Sequence, residues 1–308
     1  MNDRAPGADL TVPIGAVERD TGLSKDTLRV WERRYGFPAP QRDAFGERAY
    51  PLAQVDKLRM VKRLLDHGHR PGRIVGLPIE RLQELASATA AVPHGAATLA
   101  ADDALDAYLA LVKAHRVADL RRALSQDLLR MGLGRFVSEV VGPMNERVGD
   151  AWARGSFEVF EEHLYTESMQ VVLRNAINTV PEAGATPRVL LTTLPFEAHG
   201  LGLLMAEALL VLEGAHCISL GIQTPIGDIV LAARAQRVDI VALSFSSAHA
   251  ANAVLDGLLE LRRKLPTEVE LWGGGRCAVL HRRPPAGVLV LGSLGDVAPA
   301  LERWRADR

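Results

Sequence analysis

The stretch RVLLTTLPFEAHGLG, residues 188–202, decides the fold class of the C-terminal part of this 308-residue chain. It starts with a short apolar run, residues 188–194, which has the length of a buried β-strand. A loop with Glu197, His199 and Gly202 follows, and an apolar helical pattern comes after it. A buried strand that leads through a loop into a helix is typical of a parallel sheet covered by helices.

Further apolar runs, separated by helical patterns, follow this strand at residues 216–221, 239–245, 269–274 and 288–293. For residues 183–308 the alternation predicts a five-stranded, doubly wound parallel sheet of the flavodoxin-like, Rossmann-like type. Ligands of such sheets bind beyond the carboxyl ends of the strands. The segments at those ends are TLPFEAHGLG, SFSSAHAAN and WGGGRC, and their small residues favour a ligand site there.

The segment before the sheet, residues 102–182, has helical periodicity throughout. Short connections separate the predicted helices, which lie near residues 103–114, 117–131, 134–153 and 157–179. Amphipathic helices joined in this way indicate an antiparallel four-helix bundle. Residues 79–101 are rich in Ala, Thr, Gly and Pro, lack a sustained apolar period and are predicted to form a linker.

The N-terminal segment, residues 1–78, is predicted to be a winged helix-turn-helix. Its motif PIGAVERDTGLSKDTLRVWERRYG predicts a helix, a break at Thr21-Gly22, and a second helix with Ser24 as N-cap. A Pro/Gly-rich excursion follows, and then an amphipathic helix for which Gly68 is the expected C-cap. The expected apolar seam of the helix pair consists of Ile14, Val17, Leu23, Leu28 and Trp31. The chain as a whole is therefore a predicted multi-domain α plus α/β protein.

Composition and hydropathy argue against a disulfide-rich, membrane-spanning or secreted protein. The two cysteines, Cys217 and Cys277, lie too far apart for a CxxC metal motif and provide no disulfide framework. No apolar stretch of about 18 residues predicts a membrane span, and the polar N-terminus does not resemble a signal peptide. We therefore expect a cytoplasmic protein.

Basic residues cluster in the second helix and in the loop after it. The helix has Lys25, Arg29, Arg33 and Arg34, and the loop adds two more arginines. Such a cluster is often only a solvated cationic face. Its division between a helix and a wing favours phosphate contacts on either side of a helix in the DNA major groove.

Two histidines outside this segment allow alternative interpretations. His199 either caps a helix or points into the ligand crevice of the sheet. In the stretch WARGSFEVFEEHLYTE, residues 152–167, Trp152 precedes the adjacent Glu162 and His163. These three are either ordinary half-buried and surface residues of the bundle or one wall of a ligand pocket.

The motif IGAVERDTGLSKDTLRVWERRYG, followed by GERAY, resembles the DNA-binding domain of MerR-type regulators. The resemblance implies a homodimer on a palindrome-like, double-stranded operator. It assigns DNA binding to Lys25, Thr27, Arg29, Trp31 and Arg34 of the recognition helix and to Arg42, Arg48 and Tyr50 of the wing. Many MerR-type regulators sense metals through cysteines after a long helix. None stands near that position here, so we expect a different sensor.

The segment EAHGLG resembles the Asp-x-His-x-x-Gly motif of cobalamin-binding domains. The resemblance implies that His199 is the lower axial ligand of cobalt and that the acid orients its other nitrogen. In this chain the acid is Glu197 instead of Asp. By the same resemblance Gly202, Ser244, Ser246, Gly273 and Gly274 belong to the cofactor site.

The spacing Trp-x9-Glu-His is similar to that of light-sensing, cobalamin-dependent repressors of the MerR type. The resemblance implies that the bundle caps the upper face of adenosylcobalamin, with Trp152, Val159, Glu162 and His163 around the adenosyl group. It further implies a dimer or tetramer that binds its operator in the dark and dissociates in light, and no enzymatic activity. Some of these repressors have a histidine directly after the tryptophan, where this chain has Ala153.

Two other functions stay open at this point. A regulator of the same fold could respond to cobalamin or to a partner without responding to light, and Ala153 keeps that alternative open. A corrinoid-dependent methyl-transfer carrier would also combine a helical bundle with this sheet. The predicted winged helix argues against a carrier.

Overall fold

The structure, a computed structural model, describes residues 11–43, 45–66, 69–89, 99–181, 186–247 and 249–308. These residues fall into two units. The first comprises the described residues up to 89 together with 153–156, and the second comprises 99–152 and the described residues from 157 onward. Among the described residues no helix is long and apolar enough to cross a membrane.

The first unit combines helices with a small antiparallel sheet in the strand order β1-β3-β2. Its elements are β1 (Thr11–Pro13), α1 (Ile14–Thr21), α2 (Lys25–Tyr35), β2 (Gln41–Arg42), β3 (Arg48–Pro51), α3 (Leu52–Asp66), α4 (Pro71–Ile74) and α5 (Ile79–Thr89). The strands β2 and β3 pair as a hairpin, which is the predicted wing.

The turn between α1 and α2 agrees with the prediction. Gly22 adopts the left-handed conformation that ends α1, with φ of 68°, and donates its N–H to Glu18 O. The Ser24 hydroxyl caps α2 and accepts the backbone N–H of Thr27 at 3.1 Å. The predicted seam is the core of this unit, since Val17, Leu23, Leu28 and Trp31 are buried and Ile14 packs against them.

The region predicted to be a linker begins with a helix instead. In α5 the apolar residues Ile79, Leu82 and Leu85 recur at intervals of three, and Leu82 is fully buried in the core of the first unit. This short apolar repeat is sufficient for one helical face to pack, although it does not extend along the whole segment. Residues 90–98 and the expected cap Gly68 lie outside the described residues.

The helical part of the second unit forms the four predicted helices, the third of them in three pieces. The elements are α6 (Leu99–Lys113), α7 (Val117–Met131), α8 (Leu133–Phe136), a π-helical turn (Val137–Val141), α9 (Gly142–Ala153) and α10 (Val159–Thr179). The interruption coincides with Pro143, which has no N–H and whose ring crowds the carbonyl four residues earlier. The wider turn relieves that conflict within a continuous helical path.

The sheet of the second unit confirms the predicted flavodoxin-like topology. Its five strands are all parallel and lie in the order β5-β4-β6-β7-β8. They are β4 (Arg188–Thr192), β5 (His216–Gly221), β6 (Ile240–Phe245), β7 (Glu270–Gly275) and β8 (Leu289–Leu291). The connecting elements are α11 (Leu201–Leu212), α12 (Ile226–Ala235), α13 (Ala251–Lys264), α14 (Ala278–Arg282), a 3₁₀ turn (Leu294–Asp296) and α15 (Val297–Ala306).

The bundle and the sheet share one apolar core. Leu201, Leu204 and Ala208 of α11 are buried in the same cluster as the inward-facing residues of the bundle helices. Helices α11 and α15 cover one face of the sheet, while α12, α13 and α14 cover the other. The carboxyl edge of the sheet, where ligands are expected, is therefore held beside the bundle by α11.

Candidate cofactor site and DNA-binding face

Glu197 is the centre of a hydrogen-bonded cluster at the carboxyl end of β4. Its side chain is buried, and Oε1 accepts the His199 N–H at 3.1 Å and the His199 Nδ1–H at 2.7 Å. The other oxygen, Oε2, accepts the Ser246 N–H at 2.8 Å and the Ser246 hydroxyl at 2.9 Å. The carboxylate thus joins the loop after β4 to the loop after β6.

The backbone of the loop after β4 is fixed by a second set of contacts, which the sequence analysis missed. The buried hydroxyl of Thr193 donates to Glu197 O at 2.7 Å and accepts the Gln223 N–H at 2.8 Å. Phe196, which lies in the chain between Thr193 and Glu197, has a positive φ of 70°, and its side chain is 91% exposed. A threonine at the end of a buried strand is a weak sequence signal, because most such residues only complete the strand.

The electrostatics of the cluster favour an oriented imidazole. Burial alone would raise the pKa of Glu197, but the hydrogen bonds from His199 and Ser246 hold it below its ordinary value. The bond to Glu197 raises the pKa of His199 against the opposing effect of burial. Since Nδ1 is engaged, Nε2 is the ring nitrogen available to a ligand, on a side chain that is 62% exposed.

A second histidine lies against the same carboxylate. The His249 side chain is buried, with Nδ1 at 3.7 Å from Glu197 Oε2 and its ring edge-on to Phe245. The sequence analysis quoted this residue within SFSSAHAAN but gave it no role. Its position depends on the path of the loop after β6, which the sequence pattern does not determine.

Gly202 and Ser244 contact each other across the site. A Cβ at Gly202 would lie 2.6 Å from Ser244 Oγ, so a glycine allows the first turn of α11 to approach the end of β6. Packing within the protein is therefore a sufficient reason for this pair of residues.

The glycines at the end of β7 divide into two kinds. Gly275 has a φ of 108°, and a Cβ there would collide with the Phe245 carbonyl oxygen at 2.2 Å. At Gly273 and Gly274 a Cβ would meet only ordinary contacts at 3.7 Å, with Phe245 and Val288 or with Leu291. The fold thus demands glycine at 275, whereas at Gly273 and Gly274 it would tolerate a methyl group.

The predicted upper wall lies on the bundle. Trp152 packs half-buried against the bundle core, and Val159 is half-buried at the start of α10. Glu162 accepts the Thr166 hydroxyl at 2.7 Å and lies 3.6 Å from His163, which is 73% exposed. The charge of Glu162 also contributes to the raised pKa of His199, after the larger effect of Glu197.

The buried carboxylate of α10 is Glu161, a residue to which the sequence analysis gave no role. Glu161 is 4% exposed and accepts from Lys113 Nζ at 2.8 Å and from the Glu158 N–H at 2.8 Å. His115 Nε2 lies 3.4 Å away. The spacing of Glu158 and Glu161 is that of a capping box, which was the signal available in the sequence.

The predicted DNA-binding residues divide into exposed and buried sets. The exposed or half-exposed ones are Lys25, Thr27, Arg29, Arg34, Arg42 and Arg48. Trp31 and Tyr50 are buried in the apolar core of the first unit, and their assignment to DNA binding stays a prediction. Large aromatic side chains beside a thin domain core contribute more by burial than by exposure, and both residues support the helix and the wing from beneath.

Arg48 joins the wing to the recognition helix. Its Nε donates to Glu32 Oε2 at 2.8 Å and its Nη2 to Glu32 Oε1 at 3.4 Å, between side chains that are both partly buried. A bidentate arginine–carboxylate pair fixes direction as well as distance. In this structure Arg48 therefore positions the wing.

Similarity to known families agrees with both units. Residues 12–84 match the MerR HTH family regulatory proteins, and residues 100–176 match the B12 binding domain. Together with the sheet, these matches define a DNA-binding transcription regulator with a cobalamin-binding domain. The chain is 30% identical to the HTH-type transcriptional repressor CarH of Myxococcus xanthus over 282 residues, 89% of this chain and 92% of that protein. It belongs to the CarH family of MerR-type repressors, and is a regulator rather than an enzyme.

Two further similarities are consistent with this assignment. The chain is 28% identical to the HTH-type transcriptional repressor CarA of Myxococcus xanthus over 242 residues, 78% of each protein. A monomethylamine corrinoid protein of Methanosarcina barkeri superposes with a TM-score of 0.53 and 15% identity, covering 66% of this chain and 100% of that one. At that identity the superposition shows a common fold.

Proposed function

We propose that this protein is a transcriptional repressor that binds adenosylcobalamin between the bundle and the carboxyl edge of the sheet, and that light ends its binding to DNA. The proposal further includes a dimer or tetramer in the cytoplasm, on a double-stranded operator. The observation that carries it is the hydrogen-bonded cluster of Glu197, His199 and Ser246 at the carboxyl end of the sheet.

The donor set of the site fits a corrinoid. A corrin ring brings its own equatorial nitrogens, so the protein needs to supply one lower ligand, and a neutral imidazole nitrogen suits cobalt. Glu197 orients His199 through Nδ1, as second-shell carboxylates do in metal sites. Among the described residues no group of three or more potential ligands could hold a bare metal ion, which is consistent with one axial ligand.

The glycines of β7 support the same cofactor. Gly273 and Gly274 lie at the carboxyl end of β7, where a Cβ would make only ordinary contacts. The lack of side chains at these two positions would let a bulky nucleotide tail approach the backbone. By the resemblance of the motifs, the proposed cofactor-binding residues are Trp152, Val159, Glu162, His163, Glu197, His199, Gly202, Ser244, Ser246, Gly273 and Gly274.

In this proposal the bundle is the part of the site whose packing changes when the adenosyl group is lost. Adenosylcobalamin, when bound, supplies a cobalt–carbon bond that light can break and an adenosyl group that is then lost. Trp152 offers an aromatic face to that group, and Glu162 and His163 offer hydrogen bonds to its ribose or base. A ligand that binds one packing of the bundle more tightly than another shifts the equilibrium toward that packing. When the ligand is lost, nothing favours that packing any longer.

Purified protein loaded with adenosylcobalamin in darkness tests the proposal. We expect a bound-cobalamin spectrum, a dimer or tetramer on size-exclusion chromatography, and retention of a selected DNA duplex in a gel shift. Green light should change the spectrum, reduce the size and release the duplex. Failure to bind cobalamin would refute the cofactor assignment.

The residue after Trp152 favours a second candidate, a cobalamin-responsive regulator that does not respond to light. Ala153 cannot replace a lost upper ligand of cobalt, whereas some light-sensing relatives of this type have histidine there. His163, next to Glu162, is the exposed imidazole of the proposed upper wall. Cobalamin binding without any change of size or DNA affinity on illumination would identify this second function.

A further inference from the structure

An unusual apolar side chain marks the tip of the wing. The hairpin pairs Gln41 with Ala49 and Arg42 with Arg48, and Phe45 lies in the turn beyond the last pair. Its side chain is 91% exposed, whereas the other aromatic residues of the first unit are buried or half-buried. An exposed phenyl ring leaves apolar surface in water and gains no packing energy in the free protein.

The turn that bears this ring is built to hold one shape. Asp43 Oδ1 accepts the Phe45 N–H at 2.9 Å and the Glu47 N–H at 2.8 Å, while the Asp43 N–H donates to Glu47 O at 3.0 Å. Arg42 Nη1 donates to Gly46 O at 2.7 Å, and Gly46 adopts the positive φ of 78° that closes the turn. These contacts use the side chains of two residues that precede the tip and tie the backbone of Phe45, Gly46 and Glu47 to them.

The turn is also fixed relative to the recognition helix. Arg48, at the base of the hairpin, makes the bidentate pair with Glu32 of α2. Arg29 of α2 and Arg42 of the wing are both exposed on this unit. The ring of Phe45 therefore extends from a cationic surface that attracts phosphate groups.

We propose that Phe45 enters the DNA minor groove beside the major groove that receives α2, and partly unstacks one base step. The inference rests on the DNA binding of the proposed function. It adds a contact whose strength depends on how easily the DNA at that position is deformed. Apolar side chains that enter the minor groove in this way act as wedges between bases, and flexible pyrimidine–purine steps yield to them most easily. The cationic surface secures the adjacent phosphates, and the rigid turn avoids an entropic cost on binding.

Substitutions at position 45 test the inference in the full-length, adenosylcobalamin-loaded protein in darkness. The probe is a fluorescent duplex selected from a random-sequence library by the unaltered protein. Phe45→Ala should weaken binding about tenfold, the scale of one lost aromatic–base contact. The slope of log affinity against log salt should stay the same, because no phosphate contact is lost. Phe45→Trp, as the matched aromatic control, should bind like the unaltered protein.

A second pair of measurements separates insertion from a simple phosphate contact. Phe45→Lys should bind more weakly than the unaltered protein if the tip occupies the groove. 2-Aminopurine placed at successive steps of the duplex should brighten at one step with the unaltered protein and lose that signal with Phe45→Ala. Thermal unfolding of the variants should be unchanged, because the ring has almost no packing to lose.

Two results would overturn the inference while leaving the DNA-binding function intact. One is equal affinity of Phe45→Ala and the unaltered protein. The other is tighter binding with a steeper salt slope for Phe45→Lys, which would place the tip along the phosphates. An unaltered protein that selects no duplex from the library would overturn both the inference and the proposed function.

Discussion

The two walls of the proposed cofactor site differ in how firmly they are held. The wall on the sheet centres on Glu197, whose buried carboxylate engages His199 and Ser246 through contacts of 3.1 Å or less. The wall on the bundle has Glu162 and His163 at 3.6 Å from each other, with His163 largely exposed. The sheet wall is thus tied together by a buried carboxylate, whereas in the bundle wall Glu162 is held by the Thr166 hydroxyl and His163 stays exposed.

This difference suits a sensor. A preorganised site binds without a reorganisation cost, so the proposed function would place most of the cofactor affinity on the sheet. A less firmly held surface changes its packing more easily when a contact is lost, so the same proposal would place the response on the bundle. The bundle wall has one firm support, the Glu161 cluster at the first turn of α10.

The largest effect is expected from Glu197→Ala on the sheet wall. The change leaves the Ser246 N–H and hydroxyl and the His199 N–H without their acceptor in a buried place. Urea unfolding should show a loss of about 3 kcal/mol, the scale of a broken buried polar cluster. Glu139→Ala, which removes an exposed ion pair with Arg135, is the control and should change stability little. A Glu197→Ala protein as stable as the parent would refute the preorganised wall.

His199→Ala should reduce cobalamin affinity and spare the fold. Glu197 loses one of its hydrogen bonds but keeps those from Ser246, so the fold should survive the change, while the proposed cobalt ligand is lost. We expect about 10- to 100-fold weaker binding in an absorbance titration in darkness, at least the effect known for the loss of a second-shell group. Unchanged affinity would contradict the axial-ligand assignment.

Lys113→Met tests the support of the bundle wall. Burial alone would raise the pKa of Glu161, but Lys113, the Glu158 N–H and His115 hold it below its ordinary value. Without Lys113 the buried carboxylate loses its principal partner, and we expect a destabilisation of about 1 kcal/mol.

The pH dependence of the same variant provides a check. A carboxylate with a depressed folded pKa stabilises the protein above its unfolded pKa, and this contribution is lost as the pH falls through the folded value. The difference in stability between the parent and Lys113→Met should therefore close in acid. Adding Glu161→Gln to Lys113→Met should restore part of the stability at neutral pH. A gap that persisted in acid would exclude the ion pair as its cause.

The smallest effect on the fold is expected from Gly274→Ala. A methyl group there meets Leu291 at 3.7 Å, so unfolding should be almost unchanged, while cobalamin affinity should fall several-fold if the nucleotide tail uses that space. Gly275→Ala is the contrasting variant, because its methyl would collide with the Phe245 carbonyl oxygen and should destabilise the sheet severely. Equal cobalamin affinity of Gly274→Ala and the parent would place the tail elsewhere.

The sequence was sufficient for most of the architecture because most elements had a periodic signal of their own. Alternating strands and helices predict a doubly wound sheet, and Ser24 and Gly22 define the helix boundaries of the first unit by local chemistry. The helix at 79–89 was missed since its apolar repeat is short and its partner surface, the core of the first unit, is distant in sequence.

Only part of the candidate site could be predicted from the sequence. Glu197 and His199 form a local motif, so their contact follows from two residues of separation. The contact between Glu197 and Ser246 spans 49 residues and depends on neighbouring strands, which the predicted topology supplies. The roles of Glu161, Trp31 and Tyr50 depend on which side of a helix or strand faces the core, and the sequence pattern around each of them leaves that choice open.

The π-helical turn at Val137–Val141 has a consequence for the residues that follow it. Each residue of an α-helix advances the side-chain direction by about 100°, so one extra residue in a turn rotates everything beyond it by roughly that angle. Trp152 lies ten residues after Gly142, so the extra residue in the turn changes the direction in which its side chain points. Deleting a single residue of the turn would rotate the indole toward a different neighbour.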